Sequence, residues 1–183
     1  MIKLTTVTST NELEQILDLQ QRNLVQNINE MEMQTQGFVT MIHNLDVLQQ
    51  MHNLAPSVIA KDGEHVVGYA LVMLRECREL FPPLEPMFQN FDRLEYKYRP
   101  LNDYKFYVMG QVCVDKQFRR TGLFDQLYKK HQEIYGNQFD FIVTEVSTRN
   151  IRSLRAHERV GFEALNTYSD ELDEWSVILW DWQ

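Results

Sequence analysis

The segment VCVDKQFRRTGLF, Val112 to Phe124, carries the residue types and spacing best suited to chemistry. A strand-like run ends there, two arginines and a glycine form a turn, and a helical pattern opens. The backbone N–H groups of a helix's first turn have no partner inside the helix and point at whatever lies ahead of it. Together with the helix dipole they make a site for phosphate. Gly122 would let the backbone approach closely, and Arg119 and Arg120 add charge. From Lys116 to Arg159 nine basic residues stand against five acidic ones, a net +4, so the rest of the chain carries −12. One basic island on an acidic protein suits a small polyanionic ligand. The alternative is a solvated basic helix face, which charge taken by itself favours.

The elements that must hold this turn can be read on both sides of it. A strand is expected from Phe106 to Val114. A helix follows with Phe124, Leu127, Tyr128, His131, Ile134 and Tyr135 on one face. A further strand, 139–146, leads to a helix over Ile151 to Val160 that closes at Gly161, and two strands near 162–168 and 174–182 finish the chain. Upstream, a short strand (Ile2 to Val7) precedes a helix capped by Ser9 or Thr10. A second helical stretch, rich in Met and Gln, runs from Asn29 to Gln36 and stops at Gly37, and a third covers Leu45 to Met51. Strands at 57–61 and 65–74 flank the hairpin signal Asp62-Gly63. Residues 79–104 interrupt the pattern, with four of the chain's five prolines among six aromatic residues. That is too aromatic for a linker and too proline-rich at its start for an unbroken helix. It reads as an ordered excursion, either plain packing or a wall of a substrate pocket. The expected fold class is α/β, one domain over residues 1–183. A mixed, mostly antiparallel sheet of six to seven strands is flanked by about four helices.

Composition narrows the function. At 183 residues and 44% hydrophobic, the chain can bury a core unaided. Its 18 basic against 26 acidic residues argue against general nucleic-acid binding. No apolar run reaches the ~20 residues that span a bilayer, and the N-terminus lacks the pattern of a signal peptide. A membrane is therefore not expected as a partner, and a cytoplasmic location is the simplest one. Cys77 and Cys113 are too few for a disulfide framework and form no metal-ligand cluster, and His43 and His52 lack a partner at metal-binding spacing. No metal is expected. A monomer and a homodimer both stay open.

The order strand, R-R-T-G-L-F, helix, strand ending in T-E-V, then N-I-R-S-L-R-A-H-E-R-V-G-F resembles the GNAT superfamily of N-acetyltransferases. Motif A would lie at Val112 to Tyr135 and motif B at Phe139 to Phe162. The resemblance is strongest over residues 106–168 and extends more loosely to the N-terminal helices and the hairpin. It implies that acetyl-CoA is the co-substrate and a small-molecule or peptide amine the acceptor. By the same resemblance the backbone of Val112, Cys113 and Val114 would pair with the pantetheine arm. The turn of Arg119, Arg120, Thr121, Gly122, Leu123 and Phe124 would cradle the pyrophosphate, and Asn150 would contact the cofactor. Two positions depart from the usual pattern: Phe124 replaces a small residue, and Arg120 stands where glycine is frequent.

Acetyl transfer from a thioester to an amine needs a proton acceptor, because an amine with a free pKa of about 10 is mostly protonated near neutrality. It also needs donors for the developing oxyanion, and the departing thiolate benefits from a proton. The resemblance implies Glu145 as the proton acceptor; a solvent-facing or salt-bridged strand glutamate is its alternative. His157 stands where the superfamily often has a thiolate-protonating tyrosine, and a histidine gives a proton only when charged. Its alternative is a helix histidine bonded to backbone or substrate. An acetyl-cysteine at Cys113 is discounted, since a strand cysteine beside valines is usually a small buried hydrophobe. By family analogy the second helix and the Gly37 turn would line the acceptor's way in, where Glu32 could hold an amine. The rival to an enzyme is a non-catalytic acyl-CoA-binding or regulatory module on the same fold.

Overall fold

The computed structural model describes the backbone of residues 1–183 and all side chains except those of 34 and 35. The strands are β1 (Ile2–Thr6), β2 (Val58–Asp62), β3 (His65–Met73), β4 (Glu95–Tyr96), β5 (Arg99–Pro100), β6 (Phe106–Val114), β7 (Phe141–Ser147), β8 (Glu163–Ser169) and β9 (Glu174–Asp181). The α-helices are α1 (Thr10–Asn23), α2 (Glu30–Gln36), α3 (Leu45–Leu54), α4 (Glu85–Phe91), α5 (Leu123–Tyr135) and α6 (Ile151–Val160). Seven strands form one sheet in the order β1-β2-β3-β6-β7-β9-β8, and β4-β5 is a separate hairpin. Every pair in the large sheet is antiparallel except β6 with β7.

Period-2 alternation sorts side chains to the two faces of that sheet. Tyr69, Leu71 and Met73 of β3 join Phe106 and Val108 of β6 in a core with Leu13, Ile16 and Leu19 of α1 and Phe91 of α4. Val72, Tyr107, Met109, Ile142 and Val146 face the other way, against Tyr128 and Tyr135 of α5 and Phe162. Six α-helices form where about four were expected to flank the sheet; five of them coincide with the helical stretches read in the sequence. The helix hidden from the pattern was α4: Pro86 occupies its first turn, where a backbone N–H has no helical partner and proline costs nothing. Leu84, Met87, Phe88, Phe91 and Leu101 of the 79–104 excursion are buried in the core.

The feature that matters most for function is a break between β6 and β7. Their parallel ladder runs only from Phe106 opposite Phe141 to Val108 opposite Val143. On its other edge β6 carries one extra residue against β3, because Val112 pairs with Ala70 but Met109 with Val72. Such a bulge bends its strand. Beyond it β6 and β7 part, and the hydroxyl of Thr144, rather than backbone, donates to the Met109 carbonyl at 2.8 Å.

Candidate active site

Two adjoining cavities occupy this parting. The larger, about 330 Å³, is lined by Val112, Cys113, Val114, Arg119, Arg120, Gly122, Leu123, Phe124 and Asn150 together with Gly37, Phe38, Arg152 and Ser153. Nine of the ten expected cofactor residues therefore meet in one place. Thr121 does not join them: it is exposed and its hydroxyl donates to the Phe118 carbonyl at 2.6 Å. The smaller cavity, about 90 Å³, has Val108–Val112 on one side and Thr144–Ser147 on the other. Glu145 and His157 both line it, and Phe38, Val39, Val112, Asn150 and Ser153 line both cavities.

The turn ahead of α5 has two left-handed residues, Arg120 at φ 65° and Gly122 at φ 81°. Glycine would be the natural occupant of both, and arginine at the first carries a local cost of about 1 kcal/mol. Gly122 gives α5 no side-chain cap, so the first N–H groups of the helix remain uncapped. The turn is fastened by Arg119, whose guanidinium donates to Asn23 Oδ1 at 2.6 Å and to the Val114 carbonyl at 3.1 Å. Arg159 is held by Asp125 at 2.6 Å. Among the described residues Arg120 and Arg152 line the larger cavity with no ion-pair partner, so they are its uncommitted cations. Phe124 packs edge-on to His157 at 5.1 Å and tilted against Tyr128 at 5.2 Å, which takes its bulk out of the turn.

Asn150 is buried and used at both ends. Its Oδ1 accepts from Ser153 N at 3.2 Å and caps α6, while its Nδ2 donates to the Phe38 carbonyl at 3.1 Å. The Gly37–Val39 crossing thereby rests on α6, and two backbone bonds between Val39 and the Asn23–Val25 segment tie it to the end of α1. Gly37, at φ 75°, has a backbone that strains any side chain, and a Cβ would press on Asn150 Oδ1 at 3.1 Å. Asn150→Ala is expected to lower fold stability by about 1–2 kcal/mol, measured by urea unfolding, through loss of the cap and of the Phe38 link.

Glu145 shares its face of β7 with Phe141 and Val143. Tyr168 donates to its Oε2 at 2.5 Å. Burial pushes its pKa up to about 7, Asp170 adds to the rise, and the Tyr168 hydrogen bond opposes it. The alternative of a solvent-facing or salt-bridged strand glutamate does not describe it.

His157 is buried at 1% exposure. Its Nδ1 lies 2.8 Å from the Ser153 carbonyl, which only accepts, so Nδ1 carries the proton. Nε2 then accepts from the Tyr128 hydroxyl at 2.6 Å. Burial lowers its pKa to about 4. Near neutrality the ring is therefore neutral and its one proton is engaged by the Ser153 carbonyl, an arrangement that fits a helix histidine bonded to backbone better than a thiolate acid. Cys113 is likewise buried, with its thiol pushed up to about 12, a poor nucleophile. Glu32, suggested as a holder of the amine, lines neither cavity and is ion-paired with Lys116 at 2.5 Å. Tyr168 and Phe38 were given no role from sequence, since each matters through a partner far along the chain, and Ser153 was given none although its partners Asn150 and His157 are close by. Gly37 was read as a helix stop and, by family analogy, as part of the acceptor's way in; it lines the larger cavity. Among the described residues no cluster of metal-ligating side chains forms, and no helix is long and apolar enough to cross a membrane.

With a parallel strand pair that parts over a cavity and an uncapped helix start beside it, the chain belongs to the acetyltransferase (GNAT) family, which it matches over residues 18–162. Solved structures share the fold. The NatC complex bound to Gag peptide and CoA contains a chain 13% identical, with TM-score 0.65 and coverage of 98% of each chain. The ribosomal-protein-S18-alanine N-acetyltransferase of Escherichia coli is 11% identical, with TM-score 0.64, covering 99% of this chain and 94% of that one. A spermidine N-acetyltransferase chimera from Vibrio cholerae and hSSAT is 11% identical, with TM-score 0.60, covering 99% and 95%. No curated protein sequence matches this one.

Proposed function

We propose that the protein is an N-acetyltransferase that moves an acetyl group from acetyl-CoA directly to a primary amine, with Glu145 as proton acceptor. The observation that carries this reading is the parting of β6 from β7, which puts a half-buried carboxylate in one of two adjoining cavities and an uncapped helix N-terminus at the other. The residues present fit a long polyanionic co-substrate. The N–H groups at the start of α5, with Arg120 and Arg152, would take the phosphates. The backbone of Val112–Val114 would take the arm, and the thioester would lie near the five residues common to both cavities. Bound there, acetyl-CoA supplies an activated acyl group.

The amine enters through the smaller cavity and attacks the thioester carbonyl. As the C–N bond forms, Glu145 accepts the proton the nitrogen loses, and the C–S bond breaks to release the thiolate. A thiol of ordinary pKa, about 8.5, leaves without a dedicated acid, and solvent at the mouth of the larger cavity returns its proton. His157 holds α6 against Tyr128 and takes no part in proton transfer. Cys113 is not acylated.

Calorimetric titration with acetyl-CoA, followed by thiol release with a panel of amines, tests the reading. Salt-sensitive binding with amine-dependent release is expected. Binding without release for any amine would leave the acyl-CoA-binding module instead. Arg120→Gly separates charge from backbone in the turn. Glycine relieves the left-handed strain but loosens the unfolded chain, so stability is expected to stay within about 1 kcal/mol of wild type. Acetyl-CoA binding is expected to weaken and to depend less steeply on salt, both readable in the same titration.

A further inference from the structure

The smaller cavity carries a statement about the acceptor that goes beyond the reaction type, and it rests on the transferase reading above. Its walls come from distant parts of the chain yet agree in character. Met41 follows α2, Leu84 and Met87 belong to the excursion, Met109 lies on β6 and Trp175 on β9. Leu84, Met87, Met109 and Trp175 are all under 9% exposed. Among the described residues lining this cavity, Glu145 is the only charged one, since His157 is neutral. The adjoining cavity, far from offering carboxylates, presents four arginines and a single aspartate that Arg159 already holds.

We infer that the acceptor is a primary monoamine on an apolar, uncharged carrier. One amine nitrogen can be served by Glu145. A second ammonium entering the same space would lose its hydration and find no carboxylate to pair with, which is costly. Thioether side chains without branching adapt to different apolar shapes, so three methionines in the wall suit carriers of varied outline. The 79–104 excursion thus packs the core and walls the acceptor site at once, through Leu84 and Met87. The charge of −12 outside the basic island is not expressed where the acceptor would sit.

The test compares kcat/KM, by thiol release, for four probes: phenethylamine, an uncharged tetrapeptide with N-terminal Met, cadaverine and spermidine. The first two are expected to exceed the last two by about 100-fold. Phenethylamine against the peptide distinguishes a small-molecule from a peptide source of the same chemistry. Thr40 is exposed and lines the cavity rim, so Thr40→Asp adds a carboxylate without disturbing the core. That variant is expected to raise the ratio of kcat/KM for cadaverine over that for phenethylamine several-fold. Met87→Glu should do the same more strongly, but its burial puts the fold at risk. Preference of the wild-type protein for cadaverine or spermidine would overturn this inference and leave the transferase reading intact. Acetyl-CoA binding with no turnover of any probe would overturn both.

Discussion

Replacing Glu145 by glutamine is expected to cut turnover by about 10²-fold or more while leaving acetyl-CoA affinity unchanged and making the fold more stable above pH 7. The first effect follows from removing the proton acceptor, the second from the distance between Glu145 and the phosphate turn, which line different cavities. The third follows from linkage. In the fold the Glu145 carboxyl has its pKa raised from 4.5 to about 7 by burial. A group with a raised folded pKa contributes stability that is fully present below its unfolded pKa and lost as pH rises through the folded one. Wild-type protein at pH 8 therefore carries a penalty on the order of 2–3 kcal/mol that glutamine removes. Glutamine also keeps an oxygen for Tyr168. Thermal unfolding at pH 8 and pH 4 should show the variant more stable at the first and level with wild type at the second. Undiminished turnover would end the assignment of Glu145 as base. The wild-type activity should fall below pH 7 as the carboxyl takes up a proton, and Tyr168→Phe should move that limb upward, because the lost hydrogen bond was lowering the pKa.

A second large effect concerns acid. His43, His131 and His157 are each buried, and burial lowers each pKa from 6.5 to about 4. Here the unfolded chain binds protons more readily than the fold, so the stability these rings contribute is present above pH 6.5 and lost as pH falls towards 4. Three such groups together are worth several kcal/mol, a large share of the 5–15 kcal/mol that holds an ordinary domain. Glu145 works in the opposite direction over the same window, but it is one group against three. Unfolding at pH 5.5 is expected to take up about two protons net, measurable by calorimetry in buffers of different ionisation enthalpy. Uptake near zero would show that the rings are not held neutral. Urea midpoints should fall steeply between pH 6.5 and 4.

The sequence was most legible where local signals agreed. β6 over Phe106–Val114 and α6 over Ile151–Val160 match their expected bounds residue for residue. Apolar alternation defines the first, and Asn150 and Gly161 close the two ends of the second. α3 runs to Leu54 rather than Met51, because nothing stops it before Ala55-Pro56. The stretch holding α4 was read as an excursion too proline-rich for an unbroken helix, yet Pro86 sits in the first turn of that helix. At the site, the residues gathered by the resemblance do meet, but their duties differ. Arg119 looked like a phosphate ligand and is spent on Asn23, 96 residues away. The neutral state of His157 depends on burial among residues far along the chain, Tyr128 among its partners, and the raised pKa of Glu145 likewise depends on burial, against the opposing hydrogen bond from Tyr168. Periodicity reports which face a side chain takes; it does not report which partner waits there.

The short ladder between β6 and β7 has a mechanical consequence. Three residue pairs are all that join β1-β2-β3-β6 to β7-β9-β8 within the sheet, so the seam between two half-sheets runs through the cavity itself. A molecule lying along that seam touches both halves and acts as a staple across them. Its occupancy would then be felt as cooperativity: amides of β7 and β9 would become harder to exchange in step with those of β3, as two loosely joined units are made to open as one.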